Sequence, residues 1–314
     1  MIPGLGAFYR PDRLEEALSL LLREPRARLL AGGTDLLLEE EPVEALIDIT
    51  RLGLDGIRVE PEGLVLGATA RIEAVRRAEV VQQWADGVLV GACLHFGTLQ
   101  VRNMATVGGN IAHALPAADL VPALLVLDAQ LELARATPAG DCVRRNVPLD
   151  GFATGPFTTV LQPGELVTAV QVPARTRTWR AQFRKIGRVV KDLAQVNCAV
   201  ALQVEKQRVL SARLAVGAVH PTVTRVPAAE AELVGGEIRG ADWSARVGRA
   251  VDAVRSFIRP ISDMRATREW RRHVCGVLLC RSLEWVADPH RAGHVPRYED
   301  GQSYRVGVQG SGDG

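Results

Sequence analysis

The chain has 314 residues, of which 47% are apolar and 24% are charged, and its net charge is +2. This balance gives no electrostatic reason to expect a nucleic acid or an anionic membrane as a partner. The length suits one or two domains with a sizeable core, and the absence of 18 uninterrupted apolar residues predicts that no helix spans a membrane.

Apolar periodicity and turn residues predict a mixed set of helices and strands in the first 175 residues. The predicted helices are 13–23 (capped by Asp12), 36–39, 72–77, 88–95 and 120–127. The predicted strands are 27–31, 45–49, 57–59, 64–66, 131–136, 142–147 and 166–172.

The composition changes at Pro173-Ala174-Arg175-Thr176-Arg177-Thr178, which indicates a domain boundary. Beyond it, strands are predicted at 182–186, 194–204 and 209–216, and helices at 228–234, 243–257 and 267–286. From 287 the sequence turns to Gly, Pro, Arg and polar residues, which is typical of a tail. The predicted division is therefore 1–175, 178–286 and 287–314.

Two pairs of adjacent glycines stand out. Gly32-Gly33 precedes Thr34-Asp35, Gly108-Gly109 precedes Asn110, and both pairs follow strand-like runs. Such turns can present successive backbone N–H groups as a nest for phosphate oxygens. Two nests would suit a diphosphate better than one, although each pair alone is equally typical of a tight turn. Asp119, which follows the second pair, is a carboxylate of the kind that binds ribose hydroxyls.

The sequence lacks the usual motifs of hydrolases and metal sites. There is no GxSxG, no HExxH and no Asp/His cluster at metal spacing, so no catalytic residue and no metal ligand are predicted. The five cysteines are scattered and include no CxxC, which disfavours an iron–sulfur cage on this chain. The first residues do not resemble a signal peptide, and we therefore expect a cytoplasmic protein.

Together, Ala31-Gly32-Gly33-Thr34-Asp35 and Thr106-Val107-Gly108-Gly109-Asn110, with Pro116 and Asp119, resemble the paired motifs of one family. This family is the FAD-binding (medium) subunit of molybdenum hydroxylases, such as the flavoprotein subunits of xanthine dehydrogenase and carbon monoxide dehydrogenase. The resemblance implies an α+β fold. An FAD-binding domain of two subdomains, of the vanillyl-alcohol-oxidase (PCMH) type, would precede a C-terminal domain with a three-stranded antiparallel sheet and helices.

The resemblance also implies which residues contact FAD. The loop 29–36 would wrap the diphosphate, residues 106–110 would hold its other side and the ribityl chain, and Asp119 would bind the adenosine ribose. Phe96 would lie beside the flavin or the adenine, with a core residue at a helix end as the alternative interpretation. Val167 would make a backbone contact to the isoalloxazine, and the Lys185 ammonium would stabilise negative charge on the reduced ring. The implied contacts are Leu29, Leu30, Ala31, Gly32, Gly33, Thr34, Asp35, Leu36, Phe96, Thr106, Gly108, Gly109, Asn110, Asp119, Val167 and Lys185.

The implied function is electron transfer inside an oxidoreductase. FAD on this chain would accept electrons from [2Fe–2S] clusters on a small subunit and pass them to NAD⁺ or another acceptor. A large molybdopterin-binding subunit would hydroxylate the substrate, in a dimer of heterotrimers. Two alternatives remain at this point: a stand-alone FAD oxidoreductase of the vanillyl-alcohol-oxidase type, and a scaffold that binds FAD only structurally.

Overall fold

The computed structural model describes residues 4–38, 42–137 and 139–288. The chain opens with a small parallel sheet in the order β1-β3-β2, and one helix and a 3₁₀ turn (Leu36–Leu38) connect its strands. These elements are β1 (Ala7–Tyr9), α1 (Leu14–Arg23), β2 (Ala27–Leu30) and β3 (Ala45–Asp48). The Asp12 cap is wrong, because Arg13 is the N-cap residue and no side chain caps α1.

The second unit contains a five-stranded antiparallel sheet in the order β4-β5-β10-β6-β7, together with several helices. Its first elements are β4 (Ile57–Glu60), β5 (Gly63–Gly67), α2 (Ile72–Arg77), α3 (Glu79–Gln82), α4 (Val88–His95), α5 (Leu99–Arg102), α6 (Val107–Ala112) and α7 (Leu120–Val126). The remaining ones are β6 (Gln130–Ala136), β7 (Cys142–Pro148), β8 (Ala153–Gly155), β9 (Thr158–Thr159) and β10 (Leu166–Pro173).

Helix α1 fixes the first unit against the second. Ala17 and Leu20 pack on Ile47 of the parallel sheet, while Leu14 and Leu18 pack in a cluster with Leu166 of β10. An amphipathic helix that is apolar on two sides can join two sheets in this way. The loop that leaves β2 consequently faces the segment that enters α6.

The C-terminal unit is an antiparallel sheet, ordered β11-β12-β13-β14, with three helices. Its elements are β11 (Arg180–Ile186), β12 (Val196–Glu205), β13 (Arg208–Gly217), β14 (Thr224–Arg225), α8 (Pro227–Leu233), α9 (Trp243–Phe257) and α10 (Arg268–Ala287). The α+β fold with a C-terminal antiparallel sheet is confirmed, although the two-residue β14 adds a fourth strand. Beyond residue 288, the predicted tail lies outside the described residues.

Helix α7 lies at the centre of the molecule. Its leucines and its neighbour Leu127 are fully buried in the main hydrophobic core, beside β12 and β13 as well as α4. A helix that is apolar all round is buried on every side. Asp119, which immediately precedes this helix, is therefore drawn to the boundary between the two halves of the chain.

Candidate functional site

The loop after β2 presents unpaired backbone donors. Gly33 has φ +69°, a left-handed conformation that glycine adopts at no steric cost. Within the described parts of the chain, none of the amide N–H groups of residues 32–35 donates a hydrogen bond to a protein acceptor. The Thr34 hydroxyl donates to the Asp35 carboxylate at 3.2 Å. This loop therefore has the donor arrangement of an anion-binding nest.

The second glycine pair has a different structure from the one predicted. It does not follow a strand but lies in the first turn of α6, and Thr106 caps that helix by accepting the Gly109 N–H at 3.2 Å. The Gly108 N–H donates to Ala68 O at 2.8 Å, and the Asn110 N–H to Thr106 O at 3.0 Å. The prediction of exposed N–H groups at this pair is wrong, because the protein itself uses them.

Glycine at 108 is instead required for close packing. A Cβ atom built on Gly108 would lie 2.7 Å from Ala68 Cβ and 2.8 Å from Ala68 O, closer than a real Cβ approaches. The Asn110 side chain is also engaged, since its Oδ1 accepts the Leu120 N–H at 3.3 Å. The second motif thus forms a closely packed side of the site and does not provide a second set of free hydrogen-bond donors.

The two glycine motifs converge on one cavity. A Cβ atom on Gly32 would lie 2.1 Å from Met104 O, so the first loop lies directly against the segment that enters α6. The cavity between them has a volume of about 330 Å³, within the range of ligand pockets. Its lining includes most of the predicted contacts: Leu29, Ala31, Gly32, Gly33, Thr34, Asp35, Leu36, Phe96, Thr106, Gly108, Gly109, Asn110 and Val167.

Several further residues border this cavity that are not among the predicted contacts. Arg28 brings a cation beside the donor loop, and His113 Nε2 lies 3.9 Å from Asp35 Oδ1. Glu165 is buried, and two hydrogen bonds from the Arg145 guanidinium lower its pKa despite the opposing effect of burial. Arg28 could have been found from its place on the strand that enters the loop. Glu165 belongs to a Pro-Gly-Glu turn whose spatial neighbours the sequence does not reveal.

Leu30, Asp119 and Lys185 do not border this cavity. Lys185 Nζ donates to Asp119 Oδ2 at 2.6 Å and to His95 O at 2.9 Å, and Asn197 Nδ2 donates to Asp119 Oδ1 at 3.1 Å. Both ionised side chains are nearly inaccessible to solvent. Burial raises the pKa of the Asp119 carboxyl, and the Lys185 ammonium and the Asn197 amide oppose that rise.

This buried pair joins the two halves of the chain, since Asp119 precedes α7 and Lys185 lies on β11. Lys185 also borders a larger groove of about 840 Å³ that runs between α4, β11 and α10. The predicted contacts of Asp119 with ribose and of Lys185 with flavin stay predictions. The structure gives both residues an additional role in fixing the two halves together.

The chain is similar to known proteins over almost its full length. Residues 4–175 match the family described as the FAD binding domain in molybdopterin dehydrogenase, and residues 181–286 match the CO dehydrogenase flavoprotein C-terminal domain. It is 30% identical to the glyceraldehyde dehydrogenase medium chain of Sulfolobus acidocaldarius, over 91% of this chain and 100% of that one. It is 32% identical to the carbon monoxide dehydrogenase medium chain of Hydrogenophaga pseudoflava, over 90% and 97%.

The chain is also similar to solved structures over most of its length. The carbon monoxide dehydrogenase structure from Hydrogenophaga pseudoflava superposes with a TM-score of 0.84 at 32% identity, over 91% of this chain and 99% of that chain. Quinoline 2-oxidoreductase from Pseudomonas putida superposes with a TM-score of 0.81 at 26% identity, over 91% and 98%.

Proposed function

Because the chain belongs to the family of FAD-binding medium subunits of molybdenum hydroxylases, we propose that it holds FAD in the cavity between its two glycine motifs. The observation that carries this proposal is that the amide N–H groups of residues 32–35 donate to no acceptor among the described residues, while their loop borders the same cavity as α6. Backbone donors of this kind are suited to a diphosphate. When bound, FAD supplies the capacity to take up electrons and pass them on.

Different residues of the chain would contact different parts of FAD. The loop 32–35 donates hydrogen bonds to the anionic part of the cofactor, and Gly108 keeps α6 close to the Ala68 backbone. Phe96 and Val167 contribute apolar surface for the aromatic part. These assignments keep the predicted role of the first loop, but they give residues 106–110, which were predicted to hold the other side of the diphosphate, the role of closing the cavity.

We propose that the electrons come from a partner chain. Within the described residues, no group of three or more His, Cys, Asp or Glu side chains is placed to hold a metal ion. Exposed apolar side chains lie next to residues that border the cavity: Leu37 follows Leu36, Met104 precedes Ala105, and the Phe157 ring lies 5.2 Å from the His113 ring. Exposed apolar surface beside a site is typical of protein–protein contact. It supports docking of a small [2Fe–2S] subunit next to the cavity, with a large molybdopterin-binding subunit in the same assembly.

The final acceptor and the assembly are proposed from the family. We propose NAD⁺ or another soluble acceptor, and a dimer of heterotrimers. Among the described helices, none combines the length and the apolar character needed to cross a lipid bilayer. The cytoplasmic location stays a prediction from the sequence.

Reconstitution tests the FAD assignment. The purified chain is incubated with FAD, separated from free cofactor by gel filtration, and its visible spectrum is recorded. Flavin bands in stoichiometric amount support the proposal, and a chain that elutes without them contradicts it. Addition of NADH to the loaded chain then tests the acceptor, because bleaching of the flavin bands without oxygen indicates exchange with a nicotinamide dinucleotide.

A stand-alone oxidoreductase is distinguished by its substrate. If the isolated loaded chain oxidises a small alcohol or a heterocycle without partner chains, the vanillyl-alcohol-oxidase type of function replaces the proposed one. If only the assembled complex oxidises the heterocycle, and the flavin bands then bleach, electron transfer from a partner is supported. A chain that retains FAD but whose flavin is not reduced even in the complex would be a structural scaffold.

A further inference from the structure

The turn that carries Phe96 is held by buried charge. Helix α4 ends at His95, and Phe96 follows it as the C-cap residue and borders the cavity. Gly97 has φ +41°, and a Cβ atom there would lie 3.0 Å from Val101 Cγ1. The turn is therefore tight, and its carbonyl groups point away from the α4 hydrogen-bond pattern and need donors from elsewhere.

Arg102 supplies those donors. Its side chain is buried, and Nη1 lies 3.3 Å from Phe96 O and 3.2 Å from Gly97 O. Its Nε donates to Glu73 Oε2 at 2.8 Å. A guanidinium has donors in a rigid fork, so one side chain can span a carboxylate and two carbonyl groups at once. A lysine ammonium at this position has no such fork.

Glu73 holds the Arg102 side chain in place. It is only 4% exposed, and its other oxygen, Oε1, accepts from Arg76 at 2.7 Å and from Arg77 at 2.9 Å. Burial would raise the pKa of this carboxyl, but the hydrogen bonds from Arg76, Arg102 and Arg77 outweigh it and lower the pKa to about 2. Glu73 is therefore ionised throughout the physiological range.

The start of α2, the helix that contains Glu73, also holds the second end of the segment 96–106. Arg71 Nη1 donates to Asn103 O at 3.1 Å and to Met104 O at 2.9 Å, and the Ile72 N–H donates to Ala105 O at 3.0 Å. The stretch from 96 to 106 is thus connected to Glu73 of α2 through Arg102 at its first end and to Arg71 and Ile72 at its second end. Its first residue, Phe96, and its last, Thr106, both border the cavity.

We propose that Arg102, held by Glu73, is a positioning residue of the cofactor site, which sets the Phe96 ring against the aromatic part of FAD. This inference rests on the proposed function. Arg102 acts through the turn and not by touching the cofactor. Its replacement should therefore alter how FAD is held.

The test is a double-mutant cycle read by FAD affinity. R102K keeps the charge but cannot pair with Glu73 and span both carbonyl groups. Because the turn that carries Phe96 then loses its donors, we expect the Kd for FAD to rise by about tenfold, which corresponds to about 1.4 kcal/mol of binding free energy. The visible circular dichroism of bound FAD should change as well. R77M is the matched control, because Arg77 pairs with the same Glu73 but is 65% exposed and does not contact the turn.

Repeating the R102K substitution in an F96A variant shows whether its effect on the Kd for FAD depends on the Phe96 ring. If it does, R102K should add little to F96A, since coupled residues are strongly non-additive. An R102K effect of equal size with and without Phe96 overturns the proposal, as does an R102K protein whose Kd and dichroism match those of R77M. If R102K does not fold, G97A displaces the same turn without touching the ion pair and should raise the Kd in the same direction. A wild-type chain that binds no FAD would refute the proposed function instead.

Discussion

Substitution of Gly32 by alanine tests the convergence of the two motifs directly. The added Cβ would lie 2.1 Å from Met104 O, 2.8 Å from Met104 C and 2.9 Å from Ala105 Cα. All three are backbone atoms, so no side-chain rotation relieves the overlap. To reach an ordinary contact of 3.4 Å, the loop and the segment before α6 must separate by about 1.3 Å.

That separation sets the expected size of the effect. Overpacking of this kind costs typically about 1–3 kcal/mol of stability. Displacement of the donor loop also misaligns its N–H groups, and a loss of one charged hydrogen bond corresponds to a Kd for FAD raised by about tenfold or more. Gly32 does not have a positive φ, so the cost is steric and not conformational.

The control is Gly248→Ala in α9, where a Cβ atom would meet nothing within 4 Å. Alanine in a helix interior is favoured over glycine by about 0.8–1 kcal/mol, so this variant should be neutral or more stable and should bind FAD normally. Urea unfolding and FAD titration of both variants measure the contrast. If Gly32→Ala binds FAD as tightly as Gly248→Ala does, the loops are not held together as described and the reasoning fails.

Three further predictions concern buried charges and thiols. Lys185→Met leaves the Asp119 carboxylate buried without its cation and should lower the free energy of unfolding by about 3–5 kcal/mol; a loss below about 1 kcal/mol in urea unfolding would contradict this. The pKa of Glu73 falls from 4.5 to about 2 on folding, so the stabilisation contributed by its ionised form is complete above pH 4.5 and is lost as the pH falls towards 2. The stability difference between wild type and Glu73→Gln should therefore shrink as the pH falls through this window, and a difference independent of pH would refute the assignment. A thiol reagent should modify only the half-buried Cys142 and Cys280 in the native protein and all five cysteines after unfolding; rapid loss of a third native thiol would contradict this.

Much of the fold could be predicted because its signals are local. The hairpin of β4 and β5, the pairing of β6 with β7 across a turn, and helices α2 and α4 all follow from short apolar patterns bounded by turn residues. The donor loop after β2 was predicted for the same reason, since Gly33 supplies a left-handed residue within the loop itself. The strand β14 was missed because two residues carry no periodicity.

The role of the second glycine pair could not be predicted in this way. The Gly109 N–H is used by the nearby Thr106 hydroxyl, but the Gly108 N–H donates to the carbonyl oxygen of Ala68, which lies forty positions earlier in the chain, just beyond β5. No pattern within residues 106–110 records that contact. The same is true of Asp119 and Lys185, which are 66 positions apart in sequence and meet only because β11 packs beside α7 and α4.

This difference between the motifs explains why similar sequences have different roles. A glycine pair that leaves a strand with one positive φ turns its N–H groups outward, and they remain available to an anion. A glycine pair inside the first turn of a capped helix has its N–H groups directed at the cap and at neighbouring carbonyl groups. In the second case the missing Cβ matters more than the donor, because it lets α6 approach Ala68 closely enough to close one side of the cavity. Donors on one side and a close-packed wall on the other are together what a diphosphate-binding cleft requires, and neither motif supplies both.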